Sequence, residues 1–137
     1  MTGFRKGFTL SELLVAVAIL AFVLGSLLLL FINCIVLNES NRNLTLAMSH
    51  AQYVMEQIKN APFGGVAAAI TGNNWDWNVA AINAQGLGAL PNETIDTNQV
   101  DIGTPAEPLL DITVNVVWWD KGVRQRNVLL ETLLAEP

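Results

Sequence analysis

The sequence predicts an α+β chain: one long N-terminal helix, a loop, and a small antiparallel β-sheet lying on the C-terminal half of that helix. Three observations predict it. The 25 residues from Leu13 to Leu37 carry no charge at all. From Asn38 to Asn60 there is neither glycine nor proline, and Leu44, Ala47, Ala51, Val54 and Ile58 recur at steps of three and four, the mark of an amphipathic helix. Near the end, Leu110, Ile112, Val114, Val116 and Trp118 alternate with Asp111, Thr113 and Asn115, the mark of a half-buried strand.

The 137 residues fit one domain. Hydrophobic residues make up 52% and charged residues 14%, which argues against disorder throughout. The apolar content is concentrated in the N-terminal run, so the remainder can bury only a thin core by itself. Packing against a long helix supplies what it lacks. The net charge is −5 and the seven cations are scattered, a poor footprint for nucleic acid. The single cysteine, Cys34, lies inside the apolar run and cannot form an intrachain disulfide.

The first element is the apolar helix. As a helix its 25 uncharged residues cover roughly 37 Å, enough to span a bilayer. That length is too great for a secretory signal, and nothing like Ala-x-Ala closes it. Asn33 before Cys34 is a poor match to a lipoprotein signal. Arg5 and Lys6 stand just before the run, which places the N-terminus in the cytoplasm. Glu12 stands at the edge of the run, where a carboxylate either marks the membrane boundary or has a task. Gly7 suggests the task. A cut between Gly7 and Phe8 creates a new amine four residues before Glu12, on the same helix face. The carboxylate then meets either its own amine or that of a neighbouring subunit. Buried polar pairs of this kind are best attested as devices that set register.

The stretch Gly7-Phe8-Thr9-Leu10-Ser11-Glu12-Leu13, behind a short basic leader, resembles the class III signal of type IV prepilins and type II secretion pseudopilins. The resemblance covers about the first 60 residues well. It implies a leader of residues 1–7, a membrane-spanning and assembly half of the helix over 8–37, an amphipathic half over 38–60, and a loop and sheet head over 61–137. It implies that a prepilin peptidase cuts after Gly7 and methylates Phe8, and that Glu12 is the assembly carboxylate. The implied function is a structural subunit of a type IV pilus or a type II secretion pseudopilus. Its implied partners are the peptidase, other pilin or pseudopilin subunits, an inner-membrane assembly platform, and lipid before assembly. The implied location is the bacterial inner membrane, N-terminus cytoplasmic and head periplasmic, and then the fibre. No proline falls between Phe8 and Ala61, and no disulfide can close a C-terminal loop. Both departures favour a minor pilin or pseudopilin over a major one, and the late strand pair is similar to that of minor pilin V or pseudopilin I types.

The amphipathic stripe, widened by Met48 and Met55, is expected to cover the chain's own sheet. Pro62 and Gly64-Gly65 are expected to end the helix, and Gly25 and Ser26 to be the place for any bend. Residues 61–108 read as a connection with one short helix and one short strand. Trp75 and Trp77 within it are expected to be buried more than to form a contact surface. Asp96, Asn98, Asp101 and Glu107 supply oxygen ligands, but their spacing matches no EF-hand. Asp120-Lys121-Gly122 reads as a turn, and Val123 to Leu134 as the second strand of a hairpin.

No metal, cofactor or catalytic group is expected. The one histidine, His50, reads as a surface residue in mid-helix with no partner. One histidine and one cysteine do not make a zinc site, and no glycine-rich phosphate loop precedes a helix. The alternative from another class is a signal-anchored periplasmic adaptor or binding protein that does not polymerise.

Overall fold

The computed structural model of the chain describes residues 9–104, 107–120 and 123–136. It divides into two compact units, residues 1–39 and 40–137. Helix α1 (Leu10–Asn60) runs through both.

The first unit is the apolar part of α1. Its large side chains, from Leu10 to Leu37, are exposed. The helix is long and apolar enough to cross a membrane. It continues through Gly25 and Ser26, where the Ser26 hydroxyl donates to the Phe22 carbonyl at 2.9 Å. That bond satisfies the hydroxyl inside the apolar run.

The second unit is an α+β head built on the rest of α1. As the periodicity predicts, Ala47, Ala51, Val54 and Ile58 are buried, joined by Met55. Leu44 is a correction: it is 41% exposed, so the inward stripe begins one turn later. The helix stops at Asn60 as expected, but the two glycines do not mark a loop. Pro62, with φ fixed at −59°, opens a second helix, α2 (Phe63–Thr71), in which Gly64 and Gly65 fill the first turn. Val66 and Ile70, one turn apart, face the core.

Asn73 takes a left-handed φ of 59° and turns the chain into β1 (Trp77–Asn78). Trp75 and Trp77 are both buried, in agreement with the expected fate of these aromatics. The Trp77 ring lies 6.2 Å from that of Tyr53 on α1. Asn78 then caps α3 (Val79–Ala84), its side-chain oxygen accepting from the Ala81 N–H at 3.0 Å.

Strands β2 (Thr94–Asp101), β3 (Leu109–Asp120) and β4 (Arg124–Ala135) complete an antiparallel sheet of order β1-β2-β3-β4. Lys121 and Gly122 of the expected β3–β4 turn lie outside the described residues. The phase of β3 is the predicted one: Leu110, Ile112, Val114, Val116 and Trp118 are all buried. They meet Ile95 of β2, Val128 of β4 and the inward stripe of α1 in a single core. Burying one such side chain is worth about 1.5–3 kcal/mol, against roughly 0.5–1.5 kcal/mol for a hydrogen bond. Helix-on-sheet packing therefore dominates the stability of the head.

The two sides of the sheet end differently. β1 covers only Thr94 and Ile95. Beyond it the N–H and hydroxyl of Thr97 both donate to Asp76 Oδ1, at 2.7 and 2.8 Å. On the other side, β4 pairs with β3 over all twelve residues without a bulge. In the β2–β3 connection, Ile102 and Gly103 both donate to the Leu109 carbonyl, at 3.0 and 3.1 Å. Backbone crowds the place where a Cβ would stand at Gly103, so only glycine fits. The oxygen-bearing residues are dispersed by the strand pattern. Asp96 and Asn98 share one face of β2, Asp101 belongs to the other, and Glu107 lies in the connection.

Candidate functional site

Gly7 and Phe8, the expected cleavage and methylation residues, lie outside the described residues. Glu12 and its neighbours are described, and they form a closed local device. Thr9 precedes the first helical residue, and its carbonyl accepts the Leu13 N–H at 3.2 Å. The Thr9 hydroxyl oxygen stands 3.3 Å from the Glu12 N–H. In return, Glu12 Oε2 accepts from the Thr9 N–H at 2.9 Å and from the Thr9 hydroxyl at 2.8 Å. This is a capping box, Thr-x-x-Glu, which satisfies orphan donors at a helix start reciprocally. The carboxylate also sits at the positive end of the helix dipole.

Glu12 therefore has a duty within its own chain that the position-by-position reading missed. The signal was present as Thr9-Leu10-Ser11-Glu12. Among the described residues, only Oε2 is occupied. Oε1 accepts no hydrogen bond among the described residues, and the side chain is exposed. The flank around it is formed by Ser11, Val15, Ala16 and Ile19. Chemically, this is one open anionic acceptor on an otherwise apolar helix surface. It suits a cation carried by another apolar surface.

His50 is a second correction. It is buried, 1% exposed, and so is Glu93, at 0%. Its Nδ1 lies 2.7 Å from Glu93 Oε1, while Glu93 Oε2 accepts the Leu90 N–H at 2.6 Å. The pair ties α1 to the segment leading into β2. Both groups are sealed from solvent, and the pair acts as a structural tie. No signal in the local sequence marks a partner 43 residues away, although His50 does fall on the inward stripe. Glu93→Ala is expected to cost about 1–3 kcal/mol, because the imidazole and the Leu90 N–H lose their acceptor inside the core. His50→Leu with Glu93→Leu together should cost less than the sum of the two single changes. Chemical denaturation of the four proteins checks this, and additive losses would show the two side chains to be independent.

Neither the curated proteins nor the solved structures contain a match to the chain. Residues 4–28 do match a family model, that of the prokaryotic N-terminal methylation motif. The match takes in Gly7, Phe8 and Glu12 together with the apolar run as far as Leu28, and the chain thus carries an N-terminal methylation motif.

Proposed function

We propose that the chain is the precursor of a minor pilin or pseudopilin. A prepilin peptidase cuts it between Gly7 and Phe8 and methylates the new amine of Phe8. The mature subunit, residues 8–137, is held in the bacterial inner membrane by the apolar half of α1 with its head in the periplasm. It then leaves the lipid by packing that helix among those of other subunits, in a type IV pilus or a type II secretion pseudopilus. The assembly platform in the inner membrane is the implied machine.

The observation that carries this reading is the coincidence of two features in one short stretch. The match to the methylation motif spans residues 4–28. Within the same span, Glu12 keeps one carboxylate oxygen without a partner among the described residues, at the start of a stretch, Leu10 to Leu37, whose large apolar side chains are exposed. In a membrane helix that stays in the lipid, capping accounts for one oxygen and the other meets only headgroups and water. A helix that stacks beside copies bearing N-terminal amines has a partner for it. The unbroken helix from Leu10 to Asn60, without the proline many major pilins carry, favours the minor or pseudopilin type.

Processing is the direct test. In cells with an active peptidase, the membrane-bound chain is expected to begin with N-methyl-Phe8 by intact mass. Gly7→Val should leave it uncut, because a branched side chain crowds the scissile bond. A chain that keeps Met1 in the presence of the peptidase overturns the proposal in favour of an anchored adaptor that does not polymerise.

A further inference from the structure

The two edges of the sheet receive opposite treatment. On the β1 side, the strand is two residues long, Asp76 occupies the Thr97 N–H, and Asp96 and Asn98 follow on exposed positions. Short edge strands, occupied donors and charge are devices that stop a sheet from adding strands. The β4 edge is neither short nor occupied among the described residues, and from Asn127 to Ala135 it carries a single charge, Glu131. It is twelve residues long, pairs with β3 without a bulge, contains no proline or glycine, and meets no other strand among the described residues. Leu129 and Leu133 on its solvent face are each 58% exposed. Leu130 and Leu134 on its other face are only partly buried. A long apolar edge is a template for another strand, and cross-strand neighbours would cover those leucines.

We propose that β4 pairs antiparallel with β4 of a second copy of this chain, centred on Leu130. The order of charges selects both the partner and the direction. Arg124 and Arg126 stand in the first half of the strand, and Glu131 and Glu136 in or just beyond the second. Antiparallel self-pairing brings each basic half against an acidic half, while parallel self-pairing opposes like charges. With Leu130 opposite Leu130, Arg124 of each copy faces Glu136 of the other, and no like charges are directly opposed. Both of these end residues are exposed in the single chain. Arg126 is already engaged, 3.1 Å from Asp120 within its own hairpin. Such a two-fold pair uses the same surface on both copies and closes on itself. It leaves no β4 edge to propagate, so it describes a stored form of the subunit and not a repeating fibre contact. The proposal does not depend on cleavage or on Glu12.

Single cysteines in the full chain test it, in native membranes and with Cys34→Ser as background. Opposed Cα atoms in an antiparallel pair lie about 4.5–5.5 Å apart, within disulfide range. Leu130→Cys alone is expected to give an oxidised dimer. Arg124→Cys alone and Glu136→Cys alone should not, whereas co-expression of those two should. Cross-linking of Arg124→Cys to itself would mean parallel or random contact and would overturn the proposal. So would an adduct of Leu130→Cys with a different protein in place of the dimer, or no adduct at all. The charge order has its own check. Arg124→Glu should weaken dimerisation roughly tenfold, since each exposed pair is lost twice, and Arg124→Glu with Glu136→Arg should restore it. An unchanged dimer in Arg124→Glu rejects the register.

Discussion

Trp118→Ala is expected to destabilise the head by about 3–5 kcal/mol, the range for removing a large aromatic from a packed core. Trp118 is fully buried and heads the largest side chains in that condition. It lies opposite Arg126 on β4, and the α1 stripe closes the core above the β3 row. For a head of this size, the loss corresponds to a fall of roughly 15–30 °C in the unfolding midpoint. The measurement is thermal unfolding of the full chain in detergent, followed by near-ultraviolet circular dichroism. Trp118→Phe should lose much less, because it keeps most of the apolar area and removes an indole N–H that has no hydrogen-bond partner among the described residues. Val123→Ala, at a side chain 84% exposed, is the control and should change little. A Trp118→Ala protein that melts with the wild type would place the residue outside the core.

Glu12→Gln should leave cleavage after Gly7 intact and remove the subunit from the fibre. Glutamine can replace glutamate in a capping box, so the helix start survives and only the charge is lost. Two charges 4 Å apart interact by about 4 kcal/mol at an effective dielectric near 20. A buried amine left without its partner adds a few kcal/mol more. Incorporation should therefore fall by well over tenfold. Thr9→Val is the complementary change: it removes the capping hydroxyl, keeps the charge, and should incorporate nearly as the wild type does. The two readouts are processed mass in the membrane and co-purification with sister subunits. A Glu12→Gln subunit that is cut and incorporated normally would leave capping as the whole duty of this carboxylate.

The parts of the fold legible in the sequence are those where one face decides each residue. β3 alternates cleanly because one side meets the core and the other water, so Leu110 to Trp118 could be phased residue by residue. The inward stripe of α1 was legible for the same reason. β2 was not, because Thr94–Asp101 buries only Ile95 completely and polar side chains hide its period. The sequence predicts one short helix in 61–108 where the chain forms two, α2 and α3; Gly64 and Gly65 read as a stop, although a first helical turn behind Pro62 tolerates them. His50 was misjudged because its partner, Glu93, is brought to it by the docking of α1 on the sheet. At the candidate site, Glu12 is legible from its place at the edge of the apolar run and its spacing from Gly7, whereas its bond to Thr9 shows only once the helix start is built.

The strand order has a consequence for how the head comes into being. Each strand pairs only with the strand next to it in the chain, so the sheet can grow as successive hairpins during synthesis, with no strand waiting for a distant mate. Closing such short loops is fast. The expensive closure is between α1 and the sheet, as in the His50–Glu93 contact across 43 positions. Since α1 is made first and β4 last, the helix face presented by Ala47, Ala51 and Val54 must remain uncovered until the sheet arrives. During that interval the nascent chain is most exposed to aggregation.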